Sequence, residues 1–370
     1  MTALLSSEIR SPALAPRTRP VAAPDATALA LARVEQRMQA LCGTDEIVGQ
    51  ISTEQLAAGG KRIRARLALA AAAAYDVDED AAVALAAAVE LLHNATLVHD
   101  DVQDGDVTRR GVPTAWARHG VPQAINAGDL MLMLPTVALG ELDDDVVSPR
   151  AQRDLMRALH TRAVATVRGQ GADLRLRAVV DEAADVVAAY MQCIEGKTGE
   201  LFALPVEGAC LLAGATPAEA RRRAQPFFHL GVLFQLQDDV LDLYGDKGRE
   251  APGSDVGEGK VSALVVEHLR LRPSDRAWLL SVLDRPREET TRADVDAAID
   301  AFVKSGAKAA VLARIATLCT LAHHEADAEL APLVLELIGR VLRPIQHCFV
   351  DDGSDDNAAV VQLVLGGPRG

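Results

Sequence analysis

Two acid-rich strings repeat one pattern: Asp100-Asp101-Val102-Gln103-Asp104 and Asp238-Asp239-Val240-Leu241-Asp242 both read DDxxD, and both lie within apolar segments. Carboxylates in apolar surroundings are costly unless a cation pairs them. On a helix, residues four apart share a face. Asp100 with Asp104, and Asp238 with Asp242, then form two carboxylate pairs, and hard oxygen ligands of this kind suit Mg2+. Set on opposite walls, the pairs leave room for a diphosphate between them.

Other residues point to phosphate as well. Gly59-Gly60-Lys61-Arg62-Ile63-Arg64 leads into an alanine-rich helix. Glycine allows close approach, free N–H groups mark a helix start, and Lys61 and Arg64 add positive charge. A generic basic helix start is the plainer alternative for that string alone. His93 stands seven residues, about two helical turns, before Asp100 and can point toward the same cavity; alone, it reads more readily as a structural histidine. Beyond the first cluster, the segment from Gly105 to Thr114 turns the chain and brings Arg109 and Arg110 to the acid-rich mouth. Planar guanidinium groups there suit phosphate oxygens, or form an ion-pair lid. Gln170 and Asp173 are spaced for one helical face. Lys197 is placed to meet a leaving group or to form a core-edge salt bridge, and Thr198 and Gln235 offer oxygen dipoles to an electron-poor intermediate. Lys260 ends a glycine-rich loop and can close over phosphate. That loop lacks the GxxxxGKS/T string and the preceding strand of a nucleotide-binding loop. In the string from Ile125 to Asp129, small residues predict close packing, with Asp129 bracing a neighbouring base.

These residues need long helices to hold them. The chain has 370 residues, 49% hydrophobic and only 3% aromatic, with little β-branched alternation, which opposes a sheet-rich fold. Ala/Leu periodicity predicts helices near 27–42, 62–75, 80–104, 121–140, 150–176, 180–212, 217–245, 257–270, 274–283, 292–304, 306–323 and 326–342. The expected organisation is an N-terminal arm over 1–28, one helical domain over 29–345 and a tail over 346–370, its acidic run Asp351–Asp356 being a solvated loop. A net charge of -14 disfavours an extended nucleic-acid surface. Cys42, Cys193, Cys210, Cys319 and Cys348 lack short metal-ligand spacing, so free core thiols in a reducing cytoplasm are expected. Neither a leader peptide nor a transmembrane segment is expected.

Taken together, the ordered strings Gly59–Arg64, His99–Asp104 with Arg109-Arg110-Gly111, and Phe234–Asp242 with Gly257-Glu258-Gly259-Lys260 resemble the trans-isoprenyl diphosphate synthase, or polyprenyl synthetase, family over roughly residues 30–345. The resemblance implies the all-α isoprenoid synthase fold, a homodimer, and three Mg2+ ions bound with an allylic diphosphate. It implies direct ligation by Asp100, Asp104 and Asp238, with Asp101, Asp239 and Asp242 acting through water or orienting the others. Arg109, Lys197 and Lys260 then look like allylic-diphosphate contacts, and Gly60, Lys61, Arg64, His93 and Arg110 like the isopentenyl-diphosphate site. Lys197, Thr198 and Gln235 carry the catalytic roles.

In the implied reaction the allylic C–O bond ionises, the isopentenyl double bond attacks, and proton loss gives a product five carbons longer. Ala95 and Thr96 stand where bulky aromatics are expected for a farnesyl product, while Met131, Met133 and Leu92 are candidates for a deeper floor. The expected product is therefore geranylgeranyl diphosphate (C20), with farnesyl or longer chains as alternatives. One position departs from the pattern: Glu250 replaces a lysine usual three residues before Gly253, with Lys247 and Arg249 the nearest cations. A noncatalytic partner subunit is one rival suggested by that charge reversal. A class I terpene cyclase is the other, disfavoured by the aspartates of the second motif and by the presence of only Trp116 and Trp278.

Overall fold

Helix Glu79–Asp104 is the axis of the computed structural model, which describes residues 24–43, 45–182, 185–245, 253–286 and 289–351. Asp78 caps it by accepting from the amides of Asp80 (2.9 Å) and Ala81 (3.1 Å), and Gly105 ends it in the left-handed region (φ 71°). From Ala81 to Leu92 every side chain is buried. Its many alanines let helices Pro24–Cys42, Ile63–Ala74, Val121–Gly140 and Glu200–Leu212 pack closely around it. A second long helix, Pro217–Tyr244, starts from a capping box of Thr216 and Glu219 and packs between Glu200–Leu212 and Ala307–Glu325. Each acid cluster thus occupies the last turns of a long helix, where the helix dipole is negative and carboxylates are least welcome without a cation.

The fold is all-α as expected. The only sheet among the described residues pairs Thr108–Arg109 antiparallel with Val112–Pro113, joined by left-handed Arg110 (φ 53°) and Gly111 (φ 80°). Helices over 121–140 and 292–304 have the expected bounds. The segment expected as one helix over 180–212 divides into Val186–Ile194, a wide π-type turn Glu195–Gly199, and Glu200–Leu212. The 150–176 segment ends at Asp173, followed by a short helix Leu176–Asp181, and the 257–270 segment becomes Ser254–Gly257 and Ala263–Leu271. Helix Ile47–Ala57 was not expected.

Residue 29 falls inside helix Pro24–Cys42, and a short helix Gln346–Asp351 follows the single turn Arg343–Ile345. Residues 1–23 of the expected arm, Glu250 with its neighbouring cations, and the acidic run beyond Asp351 lie outside the described residues. All five cysteines are buried, and none forms a disulfide. One described helix, Glu79–Asp104, is long and apolar enough to cross a membrane, but 83% of its apolar window is buried among its neighbours, as a core helix should be. Helices Arg292–Lys304 and Ala307–Glu325 pass the same test only together, and they meet at 64°.

Candidate active site

The first wall is the end of helix Glu79–Asp104. Asp100 is buried, with its Oδ2 3.5 Å from Lys197 Nζ; burial raises its carboxyl pKa, Lys197 opposes the rise and Asp104 adds to it. Asp104 reaches the solvent-accessible mouth, yet partial desolvation raises its pKa too; Lys197 counters this, and Asp173 and Asp106 reinforce it. Asp101 turns away: its Oδ1 accepts from Arg109 Nε (2.6 Å) and Nη2 (2.5 Å), and burial pushes its carboxyl up to about 6. Its other oxygen is buried with no hydrogen-bond partner.

Helix Pro217–Tyr244 supplies the second wall. Asp238 is partly exposed. Asp239 is buried and accepts from the Tyr190 hydroxyl, Gln235 Nε2 (3.2 Å) and the Ala263 amide (2.7 Å); burial pushes its carboxyl up to about 7 against these donors. Asp242 accepts from Ser254 Oγ (2.6 Å) and the Asp255 amide (3.1 Å). Among the described residues, no three His, Cys, Asp or Glu side chains converge as a preformed metal cluster.

Cations link the walls instead. Lys197 rides on the π-type turn and donates to Asp173 (3.0 Å); burial works against its charge, but Asp100 and Asp173 outweigh it and its pKa is raised. The turn is fixed by glycine contacts that no side chain would permit. A Cβ on Gly169 would come within 2.5 Å of the Lys197 amide nitrogen, and one on Gly231 within 2.8 Å of Gly199 Cα. Lys260 lies 2.7 Å from Glu258 and 3.8 Å from Asp255; burial is again outweighed, here chiefly by Glu258, and Asp106 contributes from the first wall. Next to Lys197, Thr198 Oγ1 donates to Gln235 Oε1 (3.4 Å).

A basic corner lies beside the first wall. Gly60 (φ 141°) leaves room that a Cβ would fill, 2.7 Å from Arg110 Nη1, and Arg110 donates to the Gly59 carbonyl. Arg64 lies over the Phe202 ring, 5.2 Å from its centroid, and its Nε is buried without a partner. Burial lowers its pKa to about 10; Glu90 opposes the fall and Arg110 assists it. His93 is held well below the usual imidazole range by burial and then by Arg64, Arg110, Arg109 and Arg62. Its Nδ1 is another buried atom without a partner. Unspent donors and crowded positive charge make this corner receptive to an anion. Lys61 sits exposed at its edge. Arg62, between the two expected cations, instead points inward to Glu35 (2.6 Å), Glu90 (3.7 Å) and the Leu56 carbonyl (2.6 Å).

Ala95, Leu92 and Met131 are buried, and Thr96 Oγ1 donates to the His93 carbonyl (2.7 Å). Met133 corrects an expectation: it is 63% exposed on the outer face of its helix and cannot be a floor within this chain. Asp129 does brace a base, His99 Nε2 at 3.4 Å, which fits against Gly128 because that residue has no side chain. Residues not found from sequence are Tyr190, Ser254 and Phe202, whose partners are distant and which belong to no spacing pattern. Gln170 was seen, but not its bond to Gln103 (2.8 Å).

Comparison with known proteins agrees with this geometry. The family model described as polyprenyl synthetase matches residues 45–302. A short chain isoprenyl diphosphate synthase of Methanocaldococcus jannaschii is 32% identical over 248 residues, covering 66% of this chain and 73% of that protein. A geranylgeranyl diphosphate synthase of Mycobacterium tuberculosis is 37% identical over 251 residues, covering 65% and 68%. Among solved structures, geranylgeranyl pyrophosphate synthetase from Pyrococcus horikoshii superposes with a TM-score of 0.73 at 26% identity, over 85% of this chain and 98% of that one. A decaprenyl diphosphate synthase from Rhodobacter capsulatus gives 0.72 at 25%, over 86% and 97%. The chain belongs to the trans-isoprenyl diphosphate synthase (polyprenyl synthetase) family and is a trans-prenyltransferase of the all-α isoprenoid synthase fold.

Proposed function

We propose that the protein condenses isopentenyl diphosphate head-to-tail with an allylic diphosphate in a Mg2+-dependent reaction, releases pyrophosphate and forms chiefly geranylgeranyl diphosphate. The observation that carries this reading is the pairing of two environments. A carboxylate-rich mouth has its carboxyls at Asp100 and Asp104 shifted upward, and the adjoining basic corner has buried nitrogen atoms without partners on Arg64 and His93.

Asp100, Asp104 and Asp238 are the residues to hold Mg2+. Their all-oxygen chemistry fits that ion, and the upward shifts at Asp100 and Asp104 mark a place where added positive charge is favourable. Asp101, Asp239 and Asp242 accept from protein donors and orient the walls. Bound Mg2+, three ions by family resemblance, supplies charge stabilisation to the departing pyrophosphate.

Lys197 and Lys260 approach the same diphosphate from the second half of the chain, and Arg109 can turn from Asp101 to join them. Gly60, Lys61, Arg64, His93 and Arg110 hold isopentenyl diphosphate with its double bond beside the allylic carbon. Thr198 and Gln235 direct oxygen dipoles toward the electron-poor carbon, and the surrounding apolar side chains keep water from it. No covalent enzyme nucleophile is needed, and the last proton leaves to pyrophosphate.

The C20 reading is supported by a small side chain at Ala95 and by buried Leu92 and Met131 deeper in the core. Leu92 lies eight residues before Asp100, about 12 Å along the helix. We also propose a homodimer formed through the neighbouring helices Val121–Gly140 and Pro149–Asp173. Val121, Ile125, Met133 and Val137 on one helix and Val164 and Val167 on the other are exposed apolar side chains that a second copy would cover. Five buried cysteines without a disulfide suit a reducing cytoplasm.

Replacing Asp238 with Ala tests the reading. The variant should keep its fold and lose Mg2+-dependent condensation; unchanged turnover in the purified variant would contradict the assignment.

A further inference from the structure

Asp239 is one residue from the expected metal ligand Asp238 but points into the protein, where it is 5% exposed. Its donors come from three places. Tyr190 lies on helix Val186–Ile194, which runs directly into the turn bearing Lys197. Gln235 lies one helical turn before Asp239 and also accepts from Thr198, the neighbour of Lys197. The Ala263 amide opens helix Ala263–Leu271, three residues after Lys260. One carboxylate therefore meets both lysine-bearing segments.

We propose that Asp239 is a positioning residue that ties the Lys197 turn and the segment following Lys260 to the second acid helix, so that both ammonium groups are held toward the diphosphate as one unit. It is not a metal ligand. To reach a metal, the carboxylate would have to leave the buried Tyr190 hydroxyl and the Ala263 amide without acceptors, and each buried orphan costs about 1–3 kcal/mol. Asp238, about 100° around the helix, carries no such burden of burial. This inference rests on the prenyl-transfer reading and deepens it, by giving the middle aspartate of the second cluster a task different from that of the first.

Two measurements on the full chain test it. In the first, Mg2+ is titrated in the presence of inorganic pyrophosphate, and pyrophosphate binding is followed by calorimetry. Asp239→Asn retains an oxygen acceptor and should keep the half-saturating Mg2+ concentration within about threefold, whereas Asp238→Asn should raise it about tenfold or more. In the second, hydrogen exchange is followed in the protein without ligands. Tyr190→Phe should speed exchange at the Ala263 amide and through residues 197–199 about tenfold, with a cooperative melt confirming the fold. An Asp239→Asn shift in Mg2+ dependence as large as that of Asp238→Asn would overturn the proposal. So would unchanged exchange at both segments in folded Tyr190→Phe. The exchange readout needs no turnover, so failure of the unaltered protein to condense isoprenoids would strike the functional reading and leave this coupling separately tested.

Discussion

Lys197 Nζ lies 3.5 Å from Asp100 Oδ2, joining the turn after helix Val186–Ile194 to the first acid cluster about a hundred residues earlier in the chain. In the proposed function this ammonium, in a mouth otherwise rich in carboxylates, neutralises charge on a departing pyrophosphate. Lys197→Ala is predicted to lower kcat about 10²–10³-fold, the usual effect of deleting one preorganised donor, with a smaller change in KM. Steady-state kinetics on the folded variant checks it.

The position of Lys197 depends on Gly169. Gly169→Ala would push a methyl group to 2.5 Å from the Lys197 amide nitrogen, against backbone that cannot swing aside. We predict destabilisation of about 1–3 kcal/mol together with loss of kcat. Gly171→Ala is the control: nothing lies within 4 Å of its added Cβ. That variant should be neutral or more stable by about 0.5–1 kcal/mol. Denaturant melts of the two variants separate a close-packing effect from a general dislike of alanine in this helix.

These glycines also show where sequence reasoning stops. The helices at 121–140 and 292–304 were legible because apolar periodicity and caps act locally. The π-type turn at Glu195–Gly199 was not, since it is stabilised by the meeting of Gly196 with Gly169 and of Gly199 with Gly231, contacts between distant segments. Helix Ile47–Ala57 was missed because Gly49, Ser52 and Thr53 weaken its propensity, while its stability comes from packing on neighbouring helices. At the site, the acid clusters and basic strings were visible as residue types. Which donors engage the remaining carboxylates was not, because Asp101, Asp239 and Asp242 meet partners set by tertiary structure.

His93 makes the basic corner sensitive to pH. Its folded-state pKa is depressed below the ordinary 6.5 by burial first and by four arginines next. A depressed group leaves stability intact above the unfolded value and costs stability as pH falls from there toward the folded value. The ligand-free protein is therefore predicted to lose melting temperature between about pH 7 and pH 5, and His93→Gln to lose less. An entering diphosphate offsets the arginine charge and favours the protonated ring, so its binding near pH 6 should take up protons. Calorimetry in buffers of different ionisation heat would detect this as observed heats that vary with the buffer, and equal observed heats across the buffers would count against His93 as a contact.

In the proposed function, Ala95 is the residue that sets the depth available to the growing chain. It is fully buried five residues before Asp100. Ala95→Phe is predicted to shorten the main product by at least one five-carbon unit, read by mass spectrometry after phosphatase treatment. An unchanged product distribution would place the floor elsewhere.

The most direct test incubates the purified protein with Mg2+, isopentenyl diphosphate and, in turn, dimethylallyl, geranyl and farnesyl diphosphates, and measures product chain length by mass spectrometry. The account predicts Mg2+-dependent extension in five-carbon steps that accumulates the C20 diphosphate. Absence of elongation from every primer would contradict it.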